Sequence, residues 1–255
     1  MEALDLLKPG ERVDDLQWKG LRVLQNPNLF RFGTDSVLLA HFAKVATNAS
    51  VLELGTGSGV VLLLLSGRVE GPLTGVEIQP DVADMAARSV QLNGLEERMR
   101  VLCADMHDAP EIFGRAGFDN VVCNPPYGRA GATSPSEEET VRIARHEVAC
   151  TLASCVRVAA QMVKNGGRVS FVHQAARAFE LAVLMQRHFV PPKRARLIHP
   201  SPGKAPNLVL LEGIKLGRDG VCWLPPLTVH DENGRYTEEM LEIYHKKELE
   251  APLSR

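Results

Sequence analysis

The chain has 255 residues, of which 45% are hydrophobic and 24% charged, a balance that suits one sizeable core rather than a disordered or fibrous protein. Twenty-nine Lys and Arg stand against 31 Asp and Glu, for a net charge of −2, which excludes a globally basic nucleic-acid binder and leaves any polyanion to a local patch. The longest aliphatic run, residues 60–65, is far short of a membrane span, and the five cysteines offer neither a C-x-x-C pair nor zinc-ligand spacing.

Residues 1–15 carry acids where a secretion signal needs an apolar centre, so a cytoplasmic protein with reduced core thiols, no metal and no membrane contact is expected. Residues 1–33 are punctuated by Gly10, Gly20, Pro27 and Gly33, with room for two or three short strands around 21–26. They form a short extension expected to pack on a catalytic domain spanning 34–255. Thr34 or Asp35 is placed to cap a helix whose apolar residues are Val37, Leu38, Phe42 and Val45.

Short apolar runs then alternate with amphipathic stretches. Strands are predicted at 50–55, 73–78, 99–105, 118–124 and 168–173. A helix over 58–68 follows the first. Pro80 opens another, with Val82, Met85, Ala86 and Val90 on one face and Gly94 at its end. A long helix is expected from about Glu137, with Val148, Leu152, Val156, Ala159 and Val163 at spacings of three and four and Gly166-Gly167 as its stop. One more helix runs to about Phe189, before Pro191-Pro192. The last two apolar runs are separated only by residues 201–206, too short for a helical crossover, so they pair antiparallel. A short helix capped by Thr237 closes the chain, covering one edge. The expected fold is α/β: a doubly wound, mostly parallel seven-stranded sheet of Rossmann-like type with an antiparallel terminal strand pair.

In such a sheet ligands bind outside the carboxyl ends of the strands. The first exit reads Glu53-Leu54-Gly55-Thr56-Gly57-Ser58-Gly59, the second carries Glu77, the third Asp105, and the fourth Asn124-Pro125-Pro126-Tyr127. Each alone is weak; their joint placement on one edge points to a site. The glycine turn allows backbone to approach a ligand closely. Glu77 follows Gly55 by about 20 residues, the spacing that sets a carboxylate on ribose hydroxyls. A loop that contains no basic residue and begins with an acid suits a cationic or zwitterionic ligand without phosphate, such as S-adenosylmethionine. Asp105 is then available to an adenine amino group.

Asn124, Pro125, Pro126 and Tyr127 suit the acceptor side. An NH2 group on a π system is a poor nucleophile, because its lone pair is delocalised. Methyl transfer to it needs fixed acceptors for its two N–H bonds and a rigid surface to hold its plane. The Asn124 side chain and the Pro125 backbone offer carbonyls, Pro126 stiffens the chain, and Tyr127 offers a stacking face worth about 1–3 kcal/mol. No general base is required before transfer, since the proton becomes acidic only afterwards.

Together the 53–59 loop, Glu77, Asp105 and the Asn-Pro-Pro-Tyr turn resemble class I S-adenosylmethionine-dependent methyltransferases that modify amino groups. More narrowly, the segments 29–43, 144–152 and 236–244 resemble the bacterial tRNA(Val) adenine-N6 methyltransferase family, which modifies an adenine beside the anticodon. The resemblance covers nearly the whole chain. It implies S-adenosylmethionine as cofactor, held by Glu53, Gly55, Thr56, Gly57, Gly59, Glu77, Asp105 and Asn124, with Thr34 and Asp35 near the same pocket. It also implies catalysis by Asn124, Pro125, Pro126 and Tyr127, and a tRNA substrate. Cations for that substrate are Arg129, Arg142 and Arg145, beside His146, and Lys193, Arg194, Arg196 and Lys204, beside His199.

Two alternatives stay open. A protein glutamine amide presents the same NH2 geometry, although only about 50 residues precede the glycine loop where those enzymes carry a longer helical domain. A nucleotide-cofactor oxidoreductase on the same fold fits the loop spacing poorly and leaves the Asn-Pro-Pro-Tyr exit unexplained.

Overall fold

Every residue of β3 (Val51–Leu54) is buried, as a strand covered on both faces must be. The computed structural model describes residues 6–29, 32–127 and 151–244. Beside β3 lie β4 (Leu73–Glu77) and β5 (Met99–Cys103) on one side, and β6 (Phe118–Cys123) and β7 (Val163–Gln174) on the other, with every pairing parallel. β8 (Pro192–His199) and β9 (Leu208–Ile214) pair antiparallel as expected, and β9 inserts between β7 and β8. The order β8-β9-β7-β6-β3-β4-β5 has its switch point at β3, which places a ligand crevice at the carboxyl ends of β3 and β6. The seven expected strands are β3 to β9. Two further two-residue strands, β10 (Cys222–Trp223) and β11 (Leu227–Thr228), pair with β8 and bring the sheet to nine.

The period-2 alternation of β3 divides the core. Val51 faces one apolar cluster with α1 (Thr34–Phe42) and α2 (Val60–Ser66). Leu52 and Leu54 face another, with α5 (Leu152–Met162) and α6 (Ala178–Arg187). Between these come α3 (Pro80–Leu92) and the short α4 (Ala109–Phe113). α7 (Glu238–Ile243) closes the described residues, capped by Thr237, whose Oγ1 accepts the Met240 N–H at 3.4 Å. α7 packs through Met240 and Ile243 on the α1 side of the core. Of the cysteines, Cys123 and Cys155 are buried as expected of core thiols, whereas Cys103 and Cys222 are exposed.

Two local expectations need correction. α5 stops at Met162, and Val163 already begins β7 in extended conformation. Gly166-Gly167 sits instead in an interruption of the ladder, between Val163 opposite Phe118 and Arg168 opposite Asn120. A Cβ on Gly167 would lie 2.6 Å from the Asp119 carbonyl oxygen, so the glycine serves strand passage, not helix termination. Val148 and Glu137 lie outside the described residues. The N-cap of α1 is Gly33 rather than Thr34 or Asp35. Both of those residues are already helical, and their side chains serve other partners.

The extension forms a separate antiparallel hairpin, β1 (Arg12–Asp15) with β2 (Arg22–Gln25). It docks on α3 through Leu6, Leu24 and Met85 and through Arg88, whose guanidinium holds both oxygens of Glu11 at 2.6 and 2.7 Å. That bond keeps the Glu11 carboxyl below the usual range. Gln25 Oε1 accepts the Phe32 N–H at 3.3 Å and so anchors the segment that enters α1.

Candidate active site

The 53–59 loop folds by a succession of left-handed glycines: Gly55, Gly57 and Gly59 all have positive φ, at 69°, 53° and 82°. The Gly55 and Thr56 N–H groups donate to the Val76 carbonyl at 2.9 and 3.0 Å, tying the turn to β4. Glu53 and Glu77 point into this turn from adjacent strands. Thr56 Oγ1 donates to Glu53 Oε2 at 2.5 Å, the Gly57 N–H to Glu77 Oε2 at 3.0 Å, and the Gln79 N–H to Glu77 Oε1 at 3.0 Å. Burial pushes the Glu53 carboxyl up to about 8 against the bond from Thr56, and the neighbouring Glu77 carboxylate adds to the rise. At neutral pH Glu53 therefore carries a proton that a cation beside it would displace.

The fourth exit stands across the crevice. Pro125 is buried, Pro126 exposed, and Asn124 and Tyr127 half-buried. Asn124 Nδ2 donates to Ser36 Oγ at 3.3 Å, and the Tyr127 hydroxyl donates to Asp35 Oδ2 at 2.9 Å. Burial, followed by the Asp35 carboxylate, raises the Tyr127 phenol, which stays a donor. The Tyr127 ring lies 5.3 Å from that of His173, centroid to centroid. His173 is fully buried at the exit of β7 and accepts the Gln174 N–H on Nδ1 at 2.7 Å, which leaves its proton on Nε2. Burial lowers its pKa to about 4, aided by Arg177, so the ring is neutral at pH 7.

These exits enclose a cavity of about 330 Å³, at the lower end of the range for small-molecule sites. Of the residues singled out from the sequence, Glu53, Gly55, Thr56, Gly57, Glu77, Asn124, Pro125, Pro126, Tyr127 and Asp35 line it. Thr34, Gly59 and Asp105 do not. Thr34 Oγ1 accepts from the Tyr244 hydroxyl at 3.3 Å, and Gly59 caps α2. Asp105 turns its Oδ1 to the His107 N–H at 2.9 Å and to its ring Nδ1 at 2.7 Å, capping a single 3₁₀ turn. Met106 takes its place on the wall.

The walls not foreseen are mostly apolar: Phe32, Val60, Val61, Ile78 and Met106, with Ser36 and Ser58 as polar additions. Ile78 was signalled by its place directly after Glu77. His173 was signalled as a titratable side chain directly after the apolar pair Phe171-Val172 near the end of β7. Ser58 Oγ is buried with no hydrogen-bond partner among the described residues, an orphaned polar atom that a polar ligand atom would satisfy. Two acids, an orphaned hydroxyl and apolar walls fit S-adenosylmethionine: Glu77 for its hydroxyls, Glu53 for its cationic centre, which would take the place of the Glu53 proton, and Ile78 and Met106 for its base.

The cations sort by strand polarity. β8 runs parallel to β7, so Lys193 and Arg194 sit at the amino edge of the sheet, away from the cavity. The antiparallel insertion of β9 hides this from a reading of loop positions alone. Arg194 is also committed inward: it bonds Glu212 at 3.1 Å and stacks over Phe42 at 4.6 Å. Arg196 bonds Glu239 and the Pro225 carbonyl. Lys204 is exposed on the β8–β9 loop, at the same edge as the cavity, and its carbonyl accepts from His199 Nδ1 at 2.7 Å. Arg129, Arg142, Arg145 and His146 lie outside the described residues. Among the described residues no group of three metal-type side chains converges, and no helix is long and apolar enough to cross a membrane.

A family profile described as a methyltransferase domain matches residues 46–188. The chain is 30% identical over 215 residues to the tRNA1(Val) (adenine(37)-N6)-methyltransferase of Actinobacillus succinogenes, an alignment covering 84% of this chain and 88% of that protein. It is 25% identical over 240 residues to the protein of the same name from Porphyromonas gingivalis, covering 91% and 93%. Among solved structures, that of a predicted O-methyltransferase from Agrobacterium tumefaciens matches with a TM-score of 0.66 at 22% identity, over 83% of this chain and 96% of that one. That likeness bears on the fold alone.

Proposed function

This chain belongs to the tRNA1(Val) (adenine(37)-N6)-methyltransferase family of methyltransferase-domain proteins, and on that premise we propose that it transfers a methyl group from S-adenosylmethionine to the N6 amino group of an adenine in tRNA, beside the anticodon. The observation that carries this reading is the meeting, in one cavity, of the Glu53–Glu77 glycine turn with the Asn124–Tyr127 turn. When bound, S-adenosylmethionine supplies a methyl group on a positively charged sulfur. The chain's own residues do the rest. Glu77 serves the ribose hydroxyls, while Gly55, Thr56, Gly57 and Glu53 serve the charged end. The Asn124 side chain and the Pro125 carbonyl accept the two N–H bonds of the target amine, favouring the pyramidal nitrogen that attacks. Tyr127 stacks on the extruded base and holds its plane.

Residues 1–33 act as an extension seating the segment that enters α1, on a catalytic unit spanning 34–255. The enzyme acts in the cytoplasm on its tRNA, and of the described cations expected to meet that substrate Lys204 is the exposed one on the sheet edge that carries the cavity. The G-x-G-x-G spacing of residues 55–59, in place of G-x-G-x-x-G, speaks against a pyrophosphate-bearing dinucleotide in the same turn.

The test is incubation with labelled S-adenosylmethionine and either total RNA or protein extract, followed by digestion to nucleosides. Label is expected in N6-methyladenosine, and lost in Asn124→Ala while calorimetry still detects cofactor binding. Label in protein alone overturns the RNA reading.

A further inference from the structure

Two adjacent side chains at the start of α1 have their partners in the Asn124–Tyr127 turn, one at each end. Ser36 is buried and its hydroxyl accepts from Asn124 Nδ2 at 3.3 Å; Asp35 accepts from the Tyr127 hydroxyl at 2.9 Å. The two anchors are joined to each other and to the helix. Asp35 Oδ1 accepts the Ser36 N–H at 2.8 Å, and the same N–H reaches the Gly33 carbonyl at 3.2 Å.

The chemistry of the partners makes this placement specific. A side-chain amide has one acceptor end and one donor end. With its donor end on Ser36, the Asn124 amide keeps Oδ1 for an incoming N–H; rotated the other way, it would present a donor to a donor. A tyrosine ring is free to turn about its side-chain torsions unless its far end is held. Asp35 holds that end, and the buried His173 ring meets the tyrosine ring at an interplanar angle of 57°. The Asp35 carboxylate is thus directed at the acceptor turn, although its cavity wall is shared with the cofactor.

We propose that Asp35 and Ser36 are positioning residues for methyl transfer, which fix the Tyr127 ring and the Asn124 amide before the acceptor arrives, and that Asp35 is not a cofactor ligand. The inference rests on the reading of this turn as the clamp for an amino group.

The test combines Tyr127→Phe, Asp35→Ala, their double variant, Ser36→Ala and Ser36→Thr. Cofactor affinity is read by calorimetry, kcat and KM with the acceptor that the wild-type enzyme methylates, and folding by thermal melting. Each of Tyr127→Phe, Asp35→Ala and Ser36→Ala is expected to lower kcat/KM for the acceptor about tenfold, the worth of one well-placed hydrogen bond. Cofactor affinity should stay within about twofold. In the Tyr127→Phe background, Asp35→Ala should cost nothing further, because the hydroxyl it acts on is gone. Ser36→Thr, which keeps a hydroxyl, should recover most of the loss. A drop in cofactor affinity with Asp35→Ala in both backgrounds overturns the assignment of Asp35. So do additive losses in the double variant, and a Ser36→Thr as poor as Ser36→Ala overturns that of Ser36. A wild-type chain that binds no S-adenosylmethionine refutes the underlying methyltransferase reading instead, and is recognised before any variant is made.

Discussion

At the residue scale, Glu53 is expected to couple cofactor binding to pH. Its carboxyl is raised from 4.5 to about 8, mainly by burial. A group raised on folding stabilises the protein fully below pH 4.5, and that contribution is lost as pH climbs through 8. A cation beside Glu53 reverses the balance by favouring the carboxylate. Cofactor affinity should therefore rise about tenfold between pH 6.5 and 8.5, with a proton released near pH 7. Calorimetry in buffers of different ionisation enthalpy reads both effects, and Glu53→Gln should flatten them. A flat pH profile for the native chain would refute the link. The acids and glycines of this turn were legible because their spacing alone sets them at strand exits. Asp105 lies off the cavity wall, its Oδ1 held by His107 two positions on, and no spacing rule discloses which way a capping side chain turns. The bonds of Asp35 and Ser36 to the Asn-Pro-Pro-Tyr turn cross 92 and 88 residues, and only the folded topology brings them together.

At the scale of elements, β4 carries a glycine in mid-strand where a β-branched residue would pair better. Gly75 lies beneath Thr56, and a Cβ there would meet Thr56 Cγ2 at 2.8 Å and Oγ1 at 2.9 Å. Gly75→Ala should push the Thr56 hydroxyl off Glu53, lowering the melting temperature through about 1–3 kcal/mol of overpacking and weakening cofactor binding with it. Unchanged cofactor affinity in that variant would show that Thr56 has no part in the site. The seven longer strands of the sheet and its antiparallel close were readable, because apolar runs and a short loop determine them, whereas the two-residue β10 and β11 are too short to show as runs. The helix end at Met162 was not. Val163 continues the helical spacing of apolar residues and equally suits the first residue of a strand, and tertiary pairing with Phe118 decides between the two.

At the scale of the whole molecule, a net charge of −2 makes any hold on RNA local. Raising salt from 50 to 200 mM should increase KM for RNA about tenfold, as expected for a few phosphate contacts, and leave cofactor affinity unchanged. Lys204→Glu should weaken RNA binding and lessen the salt slope, whereas Lys193→Glu, at the opposite edge of the sheet, should change neither; equal effects would remove Lys204 from the interface. The place of β9 carries a consequence for how the chain is made. β8 joins the sheet only through β9, and the buried Glu212 finds Arg168 and Arg194 only once β9 is in place. The strands that bear the site are complete at Gln174, yet β7 waits for its neighbour until Ile214. At ordinary rates of translation those roughly 40 residues take a few seconds. For that interval the nascent chain holds the finished rim of the candidate site beside a β7 paired only with β6, and the exposure of its open edge to wrong partners on the ribosome is set by the speed of synthesis.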